Sequence, residues 1–339
     1  DVLIQVEACG VCGSDLHLYE TDDDGYQIYP SYTRRPVVIG HEFAGTVVEV
    51  GERVTEVQVG DRVTAEQLHW CGKCFACRRG LYNHCTNLGR LGFVTNGAFA
   101  EYVAVKDKYC WPLNDLLELY GPDRVFEAGA VVEPTGIAYN GLFPRAGGFL
   151  PGAYVAVFGT GPIGLASIAL ARVAGAGKII AFEMSAPRRK LALEMGADVA
   201  LNPVELEAQG SSPHQAILEL TSGHGADLQV EAAGVPAITI PEMERALAVN
   251  GKIVHLGRRA GTVPSNMTLY QDRGAQLYGS LGHAGYGTFG HIIRLMAGGR
   301  IDMTRMITAR YPLERAVEAI ESLRDRQEGK VMVRIHGEA

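Results

Sequence analysis

The sequence predicts an α/β protein of two domains, a β-rich one followed by a doubly wound parallel sheet. Three observations carry this. At 339 residues the chain is longer than one hydrophobic core usually serves. Up to about Tyr109 it is a series of short β-type runs such as VLIQVEA, GTVVEVG and FAEYVAV, separated by Gly, Asp and Asn turns with little helical periodicity. From about Gly152 the pattern changes. AYVAVFG reads as a strand, PIGLASIALARVAGA as a helix, KIIAFE as a strand, APRRKLALEMGA as a helix, and ADLQVEA and GKIVHLG as further strands. Such alternation means parallel strands with helices on both faces. A last helical pattern, LERAVEAIESLRD, and the short strand KVMVRI close the chain, and pattern alone does not assign them to either domain.

Composition narrows the function classes. Apolar residues at 47% and charged residues at 20% fit a folded globular chain and argue against disorder or a fibrous repeat. A formal net charge of −7 with scattered basic residues leaves no footprint for nucleic acid. The most apolar stretch, Ala153 to Phe182, is broken by Gly159, Gly161, Pro162 and Gly164 and carries Arg172 and Lys178, so no membrane span is expected. Asp1 opens directly into DVLIQV without an initiator Met or a signal-peptide pattern, which reads as a chain lacking some N-terminal residues. Four of the seven cysteines fall between Cys71 and Cys85, a usage that suits metal ligation rather than disulfides and favours a reducing, cytoplasmic setting.

GTGPIG, residues Gly159, Thr160, Gly161, Pro162, Ile163 and Gly164, follows a strand and opens a helix. In that context it is a dinucleotide fingerprint. The first Gly permits the tight turn, the second lets backbone approach the pyrophosphate, and the third lets helix and strand pack closely. The helix N-terminus offers unpaired N–H groups to the phosphates. Glu183, about 20 residues on at the end of the next strand, is placed to accept from the adenosine ribose hydroxyls and to repel a 2′-phosphate, so NAD is expected over NADP. Arg188 and Arg189 lie just beyond and are the candidates for the opposite preference.

The spacing Cys71-x2-Cys74-x2-Cys77-x7-Cys85 supplies four thiolates, enough to close a tetrahedral shell around a structural zinc. An iron–sulfur cluster normally uses other spacings. A nucleic-acid-binding zinc module, suggested by Lys73, Arg78 and Arg79, sits badly in an acidic chain. Cys12 in GVCGSDLH and His41 with Glu42 in GHEFAG are 29 residues apart, a distance for folding rather than local sequence to close. With Glu133 in VVEPTG they offer sulfur, nitrogen and oxygen donors to one zinc that keeps a position open for water or alcohol.

Together these motifs resemble the medium-chain, zinc-dependent alcohol dehydrogenase family over essentially the whole chain. GVCGSDLH, GHEFAG followed by GTVVEVG, VGDRV, the four-cysteine lobe, GAFAEYVAV and GTGPIG occur in the family's order. The resemblance implies a GroES-like catalytic domain over residues 1–135 and 281–339 and a Rossmann domain over 136–280. It implies two zinc ions per chain and NAD, with Cys12 and His41 as catalytic zinc ligands and Asp15 orienting the His41 ring. Ser14 would contact the substrate hydroxyl and pass its proton through His17 to solvent. Ethanol-type members carry a Cys where Glu133 stands, so this chain looks like the sorbitol, threonine and glucose dehydrogenase branch. There Glu42 also ligates zinc or exchanges with its water, which leaves open whether Glu42 or Glu133 is bound.

The stretch GSLGHAGYGTFGHIIRLMAGGRIDM, with HWCGKCFACRRG, looks most like the inosose-oxidising members, and a cyclic polyol or its keto derivative is the expected substrate. His283, Tyr286 and Thr288 in that stretch are candidate hydrogen-bonding groups for it. Sorbitol and threonine are the alternative substrates, and an inactive NAD-binding regulatory or structural protein is the alternative of another class. Family likeness also implies a homodimer or homotetramer.

Overall fold

The structure is a computed structural model, and it describes residues 1–336 other than 25, 26, 28, 30, 259, 260 and 284. The chain divides into two compact units, residues 1–136 with 282–326 and 330–339, and residues 137–281 with 327–329.

The first unit is built on a mixed sheet in the order Ile307–Pro312, Lys330–Arg334, Val2–Val11, Glu42–Val50, Arg62–Ala65, Cys110–Pro112. Val2–Val11 is its hub. Along one edge it pairs antiparallel with Glu42–Val50, while the other edge is shared, Val2 to Gln5 by Tyr102–Val105 and Ala8 to Val11 by Lys330–Arg334. The alternation visible in DVLIQV is the burial pattern: Val2, Ile4 and Val6 are fully buried and the residues between them are not. They join Phe43, Val63, Val103, Val331 and Val333 in one core. The closing strand thus belongs to the first unit, a placement its own pattern could not decide because its partner lies more than 300 residues away.

The second unit is a six-stranded parallel sheet in the order Val199–Leu201, Lys178–Phe182, Tyr154–Phe158, Ala226–Glu231, Leu247–His255, Gln276–Gly279. The two strands at the turn of the chain order, Tyr154–Phe158 and Lys178–Phe182, are buried without a break after their first residue, which is why they read as continuous apolar runs rather than alternating ones. Strand order reverses at Tyr154–Phe158: the next strand in sequence lies on one side and the later strands on the other. The crevice beyond the carboxyl end of that strand is where such sheets bind ligands, and residues 159–164 occupy it.

Residues 110–151 have no helix or strand expectation from the sequence pattern. They contain the helices Leu117–Ala130 and Val132–Asn140, the second of which presents Glu133 in its first turn. No helix among the described residues is long and apolar enough to cross a membrane.

Gly164 tests the packing of the second unit. A Cβ there would run into the carbonyl oxygen of Gly159, a backbone atom that cannot swing aside. Helix propensity favours Ala over Gly by about 1 kcal/mol, but overpacking costs about 1–3 kcal/mol and here dominates. Gly164→Ala is expected to lower unfolding free energy by about 2 kcal/mol in denaturant titration; an unchanged or raised value would mean the loop relaxes freely.

Candidate functional site

Strand pairing assembles the first site. Gly10 lies opposite Glu42 in the register, so Cys12, just past the end of its strand, meets His41 and Glu42 at the start of theirs. One ligand atom from each of Cys12, His41 and Glu42 lies within 4.8 Å of the others. Glycine at position 10 leaves room for the Glu42 carboxylate, which a Cβ there would push aside.

Asp15 is completely buried behind this group. Its Oδ2 accepts from the Cys12 backbone N–H at 2.9 Å, and its Oδ1 faces His41 Nδ1 at 3.7 Å, which leaves His41 Nε2 as the nitrogen free to ligate. Burial opposes a charge on the His41 ring, but Asp15, Cys12 and Glu133 together outweigh burial and hold its pKa up at about 10. So much negative charge converging on a buried ring is the environment of a cation. Thiolate, imidazole and carboxylate are a zinc donor set. The residues present therefore fit the metal.

Glu133 stands beside this group rather than within it. Its Oε1 accepts from Gln67 Nε2 and lies 3.1 Å from His283 Nε2, which draws the carboxylate toward those side chains. Glu42 has its own grip: the buried Lys330 ammonium pairs with Glu42 Oε2 and donates to the Val11 carbonyl at 3.0 Å. Sequence reasoning missed Gln67 and Lys330. The available signal for Lys330 was a charged residue leading directly into the apolar run Val331 to Val333 of the closing strand.

Ser14 and His17 lie three residues apart on the helix Gly13–Tyr19 and so share a face. Ser14 Oγ is buried without a hydrogen-bond partner, whereas the His17 side chain is 49% exposed and faces Glu20 at 3.9 Å. Of the three candidates in the glycine-rich stretch, His283 is fully buried against Glu133, Thr288 donates to the Gly285 carbonyl, and Tyr286 is exposed with φ +58°. Thr288 is therefore committed to the chain's own turn.

The four remaining ligand candidates also converge. Cys71, Cys74, Cys77 and Cys85 bring their sulfurs within 4.8 Å of one another as free thiols. Backbone N–H groups of Cys71 and Asn87 point at the Cys85 sulfur, that of Cys74 at Cys71 and that of Cys77 at Cys74, at 3.3 to 3.5 Å, an arrangement that stabilises those three thiolates, whereas burial pushes the Cys77 thiol up to about 12. The N–H groups of Cys77 and Thr86 hold the Cys74 thiol down at about 5. Four thiolates fit zinc and leave no position for substrate.

In the second unit, Gly159 takes φ +85°, and Gly161 and Pro162 open the helix Pro162–Val173. A Cβ on Gly161 would meet only the Arg188 guanidinium, 3.9 Å away, so the protein's own packing does not demand glycine there. The space fits a pyrophosphate, bounded by a helix N-terminus and an arginine. Glu183 is tied into the loop: Oε2 accepts from Thr160 N at 2.9 Å and Oγ1 at 3.3 Å, and Oε1 from Ser185 N at 3.0 Å. Arg189 is occupied by the Glu183 and Met184 carbonyls, which removes it as a phosphate ligand in this arrangement.

Comparison with known proteins agrees with this geometry. Residues 1–115 match the alcohol dehydrogenase GroES-like domain and residues 162–298 the zinc-binding dehydrogenase domain. The chain is 43% identical to scyllo-inosose 3-dehydrogenase of Thermotoga maritima over 99% of its own length and 85% of that protein's. It is 34% identical to L-threonine 3-dehydrogenase of Pyrococcus horikoshii, covering 98% of this chain and 90% of the other. A putative alcohol dehydrogenase structure from Thermotoga maritima superimposes with a TM-score of 0.93 at 43% identity, covering 98% of this chain and 86% of that one. The chain belongs to the zinc-binding alcohol dehydrogenase family. It is a zinc-dependent oxidoreductase of the GroES-like plus Rossmann architecture, and zinc and NAD(H) are its cofactors.

Metal analysis of freshly purified protein is expected to give two zinc ions per chain. A chelator should remove one well before the other, because the Cys12 site is open and the four-thiolate site closed. A single zinc, or an iron–sulfur absorption band, would contradict the assignment. Glu183→Ala is expected to raise Kd for NAD by about tenfold or more, the loss of one charged hydrogen-bonding partner at about 1.5–3 kcal/mol, and to weaken NADP far less. A wild-type preference for NADP would transfer the role to Arg188.

Proposed function

We propose that the chain oxidises a secondary alcohol of a polyhydroxylated ring, of the inositol and inosose type, with NAD as acceptor. The observation that carries this reading is a Cys12, His41 and Glu42 donor group beside a second buried carboxylate, Glu133. The chain's likeness to the Thermotoga inosose enzyme over nearly its whole length supports the substrate class.

Zinc held by Cys12, His41 and one of the two glutamates supplies Lewis acidity that lowers the pKa of a substrate hydroxyl toward neutrality. NAD at residues 159–164, with Glu183 on the adenosine ribose, supplies the hydride acceptor. The remaining work belongs to side chains. Asp15 fixes the orientation of the His41 ring. Ser14 would accept the substrate proton at its unpartnered Oγ as its own hydroxyl proton is released toward His17, one turn on and open to solvent, which passes it to water. Glu133, a carboxylate where ethanol-type members carry a thiolate, makes the surroundings of the metal more polar, which suits a substrate with hydroxyls next to the reacting carbon. Burial of His41, Glu42 and Glu133 keeps bulk water from these groups. Family likeness supports a homodimer or homotetramer, and the free cysteines a reducing, cytoplasmic setting.

The second reading is a threonine- or sorbitol-type dehydrogenase, favoured by 34% identity to threonine 3-dehydrogenases. An inactive NAD-binding role is disfavoured by the convergence of Cys12, His41 and Glu42 into one donor group. Values of kcat/KM for inositols, inososes, sorbitol, threonine and primary alcohols separate these readings. A site built to bond several hydroxyls rejects substrates lacking them by about 10^4-fold, so ethanol and benzyl alcohol should be poor substrates. A clear preference for threonine or a primary alcohol would reject the cyclic polyol and leave the zinc chemistry standing.

A further inference from the structure

His283 is wholly buried, yet neither ring nitrogen has an aligned hydrogen-bond partner among the described residues. An unsatisfied buried polar group costs about 1–3 kcal/mol, so packing alone is a poor reason for histidine at this position. Its surroundings are specific. Nε2 lies 3.1 Å from Glu133 Oε1, close but poorly aligned, and Gln67 Nε2 bonds that same oxygen. The ring packs against Phe289 with centroids 4.6 Å apart. Gly136, one turn beyond Glu133 on the same helix, makes room for it: a Cβ there would sit 3.2 Å from the His283 Cβ and the Phe289 ring. A second buried carboxylate, Glu66, is within electrostatic reach of the ring; it accepts from Trp111 Nε1 at 3.1 Å through one oxygen and leaves the other unpartnered.

We propose that His283 is a positioning residue for the metal centre: with Gln67 it holds Glu133 by Oε1, so that Oε2 is the oxygen presented toward Cys12, His41 and Glu42. A neutral imidazole with its proton on Nε2 suffices, so the arrangement does not depend on a charged ring. The two contacts on one oxygen divide the carboxylate into a held atom and a working atom, as Asp15 does for the two nitrogens of His41. A carboxylate held in this way enters the metal centre in one orientation, which strengthens metal binding before any substrate arrives. The proposal rests on the reading of Cys12, His41 and Glu42 as a metal site.

The test uses cobalt(II) as the probe in the labile site, with zinc left in the four-thiolate site, and reads affinity against a competing chelator together with the visible spectrum. Wild-type protein that binds no cobalt beside its four-thiolate zinc would reject the metal-site reading itself, and with it the positioning role. Given wild-type binding, His283→Ala is expected to lower cobalt affinity by about 10–100-fold and to shift the visible bands. His283→Gln, whose amide nitrogen reaches the place of Nε2, should restore most of both, whereas His283→Asn is one methylene short and should not. If His283→Ala fails to fold, judged by circular dichroism and retention of the four-thiolate zinc, the Gln and Asn variants carry the comparison. Wild-type affinity and spectrum in a folded His283→Ala, or equal affinities in the Gln and Asn variants, overturns the proposal.

Discussion

Backbone pairing of Val2–Val11 with its neighbours is the constraint on which the metal centre depends. The register that sets Gly10 opposite Glu42 on one edge and Met332 on the other brings Cys12, His41, Glu42 and Lys330 to one end of the sheet. None of these is near another in sequence except the His41–Glu42 pair. A slip of one residue would turn every side chain of a strand to the opposite face and send Glu42 away from Cys12. The apolar residues that hold the register, Val2, Ile4, Val6, Phe43, Val331 and Val333, therefore act on the chemistry without touching it.

Charge is the second consequence of that geometry. Asp15, Glu42 and Glu133 are all buried, and each is gripped by a different partner: Asp15 by the Cys12 N–H and His41, Glu42 by Lys330, Glu133 by Gln67 and His283. Burying an ion pair is close to neutral when both members are present and strongly unfavourable when one is lost, by about 3–5 kcal/mol. The three carboxylates outnumber the cationic side chains that face them, His41 and Lys330, and this imbalance is what a divalent cation relieves. The four-cysteine lobe solves a different problem. It spans only 15 residues, its sulfurs are met by backbone N–H groups, and its donors are all of one kind, which suits a closed shell.

The second unit shows a comparable division of labour within six residues. Gly159 is required by its positive φ and Gly164 by the carbonyl packed against it, whereas Gly161 is required by nothing in the protein and leaves room for a ligand. Glu183 is held by the Thr160 N–H and hydroxyl, so the carboxylate expected to meet the ribose is already fixed by the loop that meets the phosphates.

What the sequence determined by itself was everything encoded at short range. The alternation in DVLIQV, the unbroken apolar runs of Tyr154–Phe158 and Lys178–Phe182, the cysteine spacing and the glycine loop each depend on residues within one element or one turn, where periodicity and stereochemistry leave few choices. The donor types at Cys12, His41, Glu42 and Glu133 were legible too, through the resemblance of their motifs. Tertiary structure alone decided where the closing strand pairs, that Lys330 is buried against Glu42, and that Gln67 and His283 converge on Glu133 while Thr288 serves its own turn. Those contacts join residues from 66 to more than 300 positions apart, or turn on a local backbone conformation. Their meeting is fixed by strand register and core packing, which no local pattern encodes.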